Sequence, residues 1–143
     1  MRTNASNPTT TARQMTVTQQ AKICADWFQR MIDREFEQAE RFFQQDVKDG
    51  RYANAYERSL ARLVRADMQK TMLTLITEAC QGADPVTALG VVKQNFQSHL
   101  LETVKRNDGT PEEIRVQGLR AENQGWAIAT IDSILLALRS VPA

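Results

Sequence analysis

The sequence predicts an all-α fold, an antiparallel up-down bundle of four helices with an extended polar N-terminal tail, and three observations predict it. Apolar residues recur at steps of three and four from Val17 to Leu138, with no stretch of strict alternation that would read as a strand. The breaks in that pattern are short and coincide with residues that cap helices. The chain of 143 residues, 42% of them hydrophobic, suffices for one core and therefore one domain.

Residues 1–15 are rich in Thr, Asn and Ser and have almost nothing apolar to bury, so they read as a tail, mobile in isolation, ahead of a single domain over 16–143. Thr16 and Gln19 are spaced as a capping box. From there Val17, Ala21, Cys24, Phe28, Ile32, Phe36, Ala39, Phe43 and Val47 form one stripe, and Asp49-Gly50 ends it. A helix of that extent is roughly 48 Å long. The second helix runs from about Tyr52 to Cys80, with a stripe at Tyr56, Leu60, Leu63, Val64, Met68, Met72, Leu75, Ile76 and Ala79. Gln81 to Pro85 breaks it, with Asp84 placed to cap the third helix and Pro85 to open it. The third helix carries Leu89, Val92, Phe96, Leu100 and Val104, and stops at Asn107-Asp108-Gly109. Thr110-Pro111-Glu112-Glu113 is the clearest local signal: a capping threonine, proline in the first helical position and glutamate three residues after the cap. The fourth helix extends to about Arg139 through Leu119, Trp126, Ala127, Ile131, Ile134, Leu135 and Leu138. Short connections pair helix one with two and three with four. The stripe of helix one is longer than helices three and four are expected to cover, and apolar surface left over at one end favours self-association.

Several chemistries are excluded by what is missing. His99 is the only histidine, so no histidine pair or histidine–carboxylate metal motif can be assembled. The glycines lack the spacing of a phosphate-binding loop. Cys24 and Cys80 lie on apolar faces and read as small buried hydrophobes with free thiols. The expectation is a chain with no catalytic residues, no metal site and no cofactor. No apolar run is long enough to span a bilayer or serve as a secretory signal, which places the expected protein away from membranes in a reducing cytoplasm.

The net charge of +1 conceals a segregation. Asp33, Glu37 and Glu40 share one face of helix one, whereas Arg51, Arg58, Arg62 and Arg65 share one face of helix two. Antiparallel pairing about residue 50 sets Asp33 opposite Arg65, Glu37 opposite Arg62 and Glu40 opposite Arg58, a ladder that fixes register. At an ideal helical period, however, the arginines lie away from Leu60 and Leu63, which leaves two further readings. They form a solvated face, or a partner-binding row for nucleic-acid phosphates or an acidic protein surface. In the fourth helix Ala121, Gly125 and Ala129 are spaced by four, as helix-packing residues that let another helix approach closely. That helix is expected to come from within the chain before a second subunit. Beside them Trp126 is large enough to anchor a partner if exposed, and otherwise belongs to the core.

The run Thr110-Pro-Glu-Glu-Ile-Arg-Val-Gln-Gly-Leu-Arg-Ala, leading into Ile131 to Leu138, resembles the last helix of small helical accessory proteins of tailed-phage virion, or head-to-tail, assembly. The resemblance rests on helical spacing with Gln117, Gly118 and Arg120, is confined to the C-terminal third, and departs from the pattern at Gly125-Trp126. It implies a structural role in a virion and assigns no functional residue. Together these readings predict a non-enzymatic helical interaction protein that associates with itself or with another protein. The alternative is a small nucleic-acid or regulatory binding protein that uses the arginine row.

Overall fold

A computed structural model describes residues 16–106 and 108–141; the expected tail, residues 1–15, lies outside them. The described residues form four helices and no strand. Helix α1 spans Val17–Lys48 and begins in the anticipated capping box, with the Gln19 amide donating to Thr16 Oγ1 at 3.1 Å and the Thr16 amide donating to Gln19 Oε1 at 2.9 Å. It ends at Asp49, and Gly50 turns the chain at φ 72°, in the left-handed region that glycine adopts without strain. The second helix, α2, is continuous but made of three segments: a short α turn Tyr52–Asn54, a π-helical turn Ala55–Ser59 and the α-helix Leu60–Gln81. Helix α3 spans Pro85–Lys105, with the Thr87 amide donating to Asp84 Oδ1, and α4 spans Pro111–Arg139, with the Glu113 amide donating to Thr110 Oγ1. Gly109, at φ 124°, precedes that cap in a conformation that favours glycine.

The closest pairings are α1 with α2 and α3 with α4, as short connections require, and α2 touches all three other helices. The core gathers Ala21, Ala25 and Ile32 of α1, Leu73, Ile76, Ala79 and Cys80 of α2, Leu89 and Phe96 of α3, and Ala127, Ile131, Ile134 and Leu138 of α4. These residues sit toward one end of the bundle. No residue of α3 beyond Phe96 and no residue of α4 before Asn123 is buried, while Leu101, Val104 and Ile114 are exposed. The α1–α2 hairpin continues past Ile32 for roughly another 24 Å, with Ala39, Ala55 and Ala66 buried between its two helices but outside the main core. Small side chains there let the two backbones approach with little apolar bulk. The bundle is thus closed by four helices at one end and open between two hairpins at the other.

The phase of α2 agrees with the sequence expectation in part. Ile76 and Ala79 are buried as expected and Met72 packs against the core, but Ala55, Ser59, Ala66, Leu73 and Cys80 are also buried, whereas Tyr56 and Leu75 are exposed. The π turn offsets Tyr52–Asn54 from the residues that follow it and leaves the α-helical phase of Leu60–Gln81 regular. In α1 the stripe holds through Phe43, but the next inward position is Asp46, and Val47 is exposed.

Candidate functional site

The anticipated arginines divide once the structure sets their phase. Arg62 lies inward and meets Glu35 rather than Glu37, with Nε 2.7 Å from Oε1 and Nη2 3.2 Å from Oε2. Nη2 also donates to Gln38 Oε1 at 2.8 Å, and the guanidinium lies 5.2 Å from the centroid of the Phe42 ring. The hydrogen bonds from Arg62 to Glu35 raise the arginine's pKa, so the charge stays fixed. Arg65 turns away from α1 to Glu122 of α4 at 3.3 Å, and its expected partner Asp33 takes Lys70 at 3.8 Å, with the ammonium also above Phe36. Glu37 and Glu40 remain exposed. The regular ladder is therefore replaced by two pairs between the hairpin's helices, the bidentate Arg62–Glu35 and the longer Lys70–Asp33, and one link from α2 to α4. All three are solvent-accessible, and each contributes about 0–1 kcal/mol.

Arg51 and Arg58 converge with Arg62 on an open pocket of about 340 Å³ that also takes in Phe42, Asn54, Ser59 and Asp46. Asp46 is the feature that the apolar pattern missed. It is buried, and a single carboxylate oxygen, Oδ2, accepts hydrogen bonds from Asn54 Nδ2 at 2.7 Å and from the Ser59 hydroxyl. Asn54 and Ser59 are five residues apart and would diverge on an α-helix; the π turn between them brings both to one acceptor. The Arg51 amide donates to the Asp46 carbonyl, which locks the tip of the hairpin to the same residue. A sequence signal was present: Asp46 follows Ala39 and Phe43 in the inward phase, and an acid at a core position calls for donors nearby. A second open pocket, about 540 Å³, adjoins Phe42 on α1 and includes Gln38, Arg41, Gln45 and Lys48.

Among the described residues no helix packs on the small-residue row of α4. A Cβ added at Gly118 or Gly125 would meet nothing within 4 Å, and Ala129 is exposed, while Ala121 is half-buried. The close approach anticipated there is not made, because α3 packs on the face that carries Ala127, Ile131 and Ile134 instead. Trp126 is half-buried against the core. The exposed tryptophan is Trp27 of α1, which the sequence reading did not single out. It is 50% exposed, stands edge-on to Phe28 at 4.9 Å, and lies between Ile23 and Met31, which are 49% and 45% exposed. These three residues, four apart, form a continuous apolar stripe on the outer face of α1.

His99 is exposed and lines the cleft between α3 and α4 with Glu102, Arg120 and Gln124. Cys80 is buried and Cys24 half-buried, both as free thiols. Burial, with the nearby Cys24 adding to it, pushes Cys80 up to about 11, and burial also raises Cys24, so neither is an activated nucleophile at neutral pH. Among the described residues no group of three or more metal-ligating side chains converges, and no helix is long and apolar enough to cross a membrane. No protein-family model matches the chain, and neither a curated protein nor a solved structure matches it.

Proposed function

We propose that the protein is a helical assembly subunit that associates with a second copy of itself through the outer face of α1. The observation that carries this reading is the stripe Ile23, Trp27 and Met31, three large apolar side chains on one line of a long helix, each about half exposed among the described residues. Leaving such a stripe in water is unfavourable by about 25 cal/mol per Å² of apolar area, and a partner helix removes that cost. A second copy fits the stripe because it is self-complementary. Laid antiparallel about Trp27, the two helices bring tryptophan beside tryptophan and set Asp26 of one copy within a turn of Arg30 of the other. In this reading the chain acts without catalysis or cofactor. The resemblance of its C-terminal run to accessory proteins of tailed-phage virion assembly supports the same role, exercised in a host cytoplasm or a virion.

Sedimentation velocity over a range of protein concentrations tests the proposal. The wild type is expected as a dimer or larger, and Trp27→Glu as a monomer with unchanged helical circular dichroism. A wild type that is monomeric throughout, or a Trp27→Glu variant of the same mass as the wild type, overturns it.

A further inference from the structure

We infer that the two pockets flanking Phe42 at the tip of the α1–α2 hairpin form a binding surface for single-stranded nucleic acid, with Phe42 as the stacking platform and the surrounding cations as phosphate contacts. The pockets share the Phe42 ring, which is 50% exposed and stands at their common wall. On the α1 side they carry Arg41 and Lys48, and on the α2 side Arg51, Arg58 and Arg62. Among the described residues, none of Arg41, Lys48, Arg51 and Arg58 is in an ion pair, in contrast to Arg62, which Glu35 holds. The only carboxylate in either lining is Asp46, and its Oδ2 is occupied by Asn54 and Ser59. On a chain of net charge +1, four cations outside any ion pair, against the single negative charge of Asp46, gather around one aromatic ring and make a local site that overall composition does not report.

Single strands suit this surface better than the alternatives that its charge alone would admit. A duplex presents phosphates but no free base face, and would leave Phe42 unused. An acidic peptide would neutralise the cations but has no need of a half-exposed ring beside side-chain amides. Unpaired bases use all three: phosphates meet Arg41, Lys48, Arg51 and Arg58, a base stacks on Phe42 with Arg62 lying over the ring, and base edges meet Gln38 Nε2 as donor and Gln45 Oε1 as acceptor, the other halves of those amides being engaged by Arg62 and Asp49. The Asp46 hydrogen bonds hold the tip rigid, so the cations are presented on a fixed frame and not on a loop. This site lies on a different part of the molecule from the apolar stripe of α1, and it stands whether or not the chain self-associates.

Fluorescence anisotropy with a labelled single-stranded oligothymidylate and full-length protein tests the inference, with folding of each variant checked by circular dichroism. Four phosphate contacts predict that the logarithm of the binding constant falls with the logarithm of salt at a slope of about −3, and that Arg51→Gln with Arg58→Gln removes about half of it. Phe42→Ala is expected to weaken binding about ten-fold with the slope unchanged, because base stacking is not a counter-ion effect. Lys105→Gln with Arg106→Gln, at the end of α3, is expected to change nothing. The inference is overturned by absence of binding at low salt, by equal losses in the Lys105/Arg106 control, or by a blunt-ended duplex or polyglutamate binding at least as tightly with Phe42→Ala without effect.

Discussion

At the scale of single residues, Asp46 organises the open end of the molecule. Its Oδ2 satisfies Asn54 and Ser59 at once, and its carbonyl accepts from the Arg51 amide. Replacing Asp46 with Ala strands two polar side chains, one of them buried, and is expected to lower the unfolding free energy by about 1–3 kcal/mol, read from the urea midpoint. Cys80 gives a pH signature. Its pKa is about 11 in the fold against an ordinary value of 9.0, so the unfolded chain releases the thiol proton first as pH rises. The stability associated with that group is therefore intact below pH 9 and is lost between about 9 and 11. The urea midpoint of the wild type should fall more steeply across that window than that of Cys80→Ala. Both cysteines were legible as inward-facing because they fall on apolar faces, Cys80 buried and Cys24 half-buried. Asp46 was not, since a scan for apolar period passes over an acid in the inward phase.

At the scale of elements, caps were read more reliably than faces. Thr16 with Gln19, Asp84 with Pro85, and Thr110 with Glu113 all form the hydrogen bonds that their spacing implies, because a cap is decided within four residues of sequence. The face of α2 was legible only in part: Ile76 and Ala79 are buried as their spacing implies, but the broad run of apolar residues does not say which edge of the stripe turns inward. Leu73 is completely buried, whereas Leu75, placed on the inward stripe by an ideal period, is 49% exposed. Leu73→Ala should therefore cost about 2–5 kcal/mol and Leu75→Ala less than about 1 kcal/mol by denaturant titration. Equal costs would mean that α2 turns a different face to the core. Arg62, which the ladder reading set opposite Glu37, does face α1 but reaches Glu35 instead.

At the scale of the whole molecule, the balanced charge and apolar fraction of the sequence describe an average that the fold separates. One end is a four-helix core in which Leu89, Phe96, Ile131 and Ile134 close against α1 and α2. The other end holds a two-helix arm with cations around Phe42, and the outer face of α1 keeps a line of uncovered apolar residues. That helix one would outrun its cover was legible from its length; which side chains would stay uncovered was not, because Ile23, Trp27 and Met31 lie off the inward stripe. Trp27 provides the most direct measurement of whether that face is an interface. In Trp126→Phe it is the only tryptophan left, and its emission reports its own surroundings. Association through α1 predicts a blue-shifted emission, resistant to acrylamide, that moves toward the red as the protein is diluted to monomer. Emission of a fully hydrated, readily quenched indole up to the highest soluble concentration would contradict it.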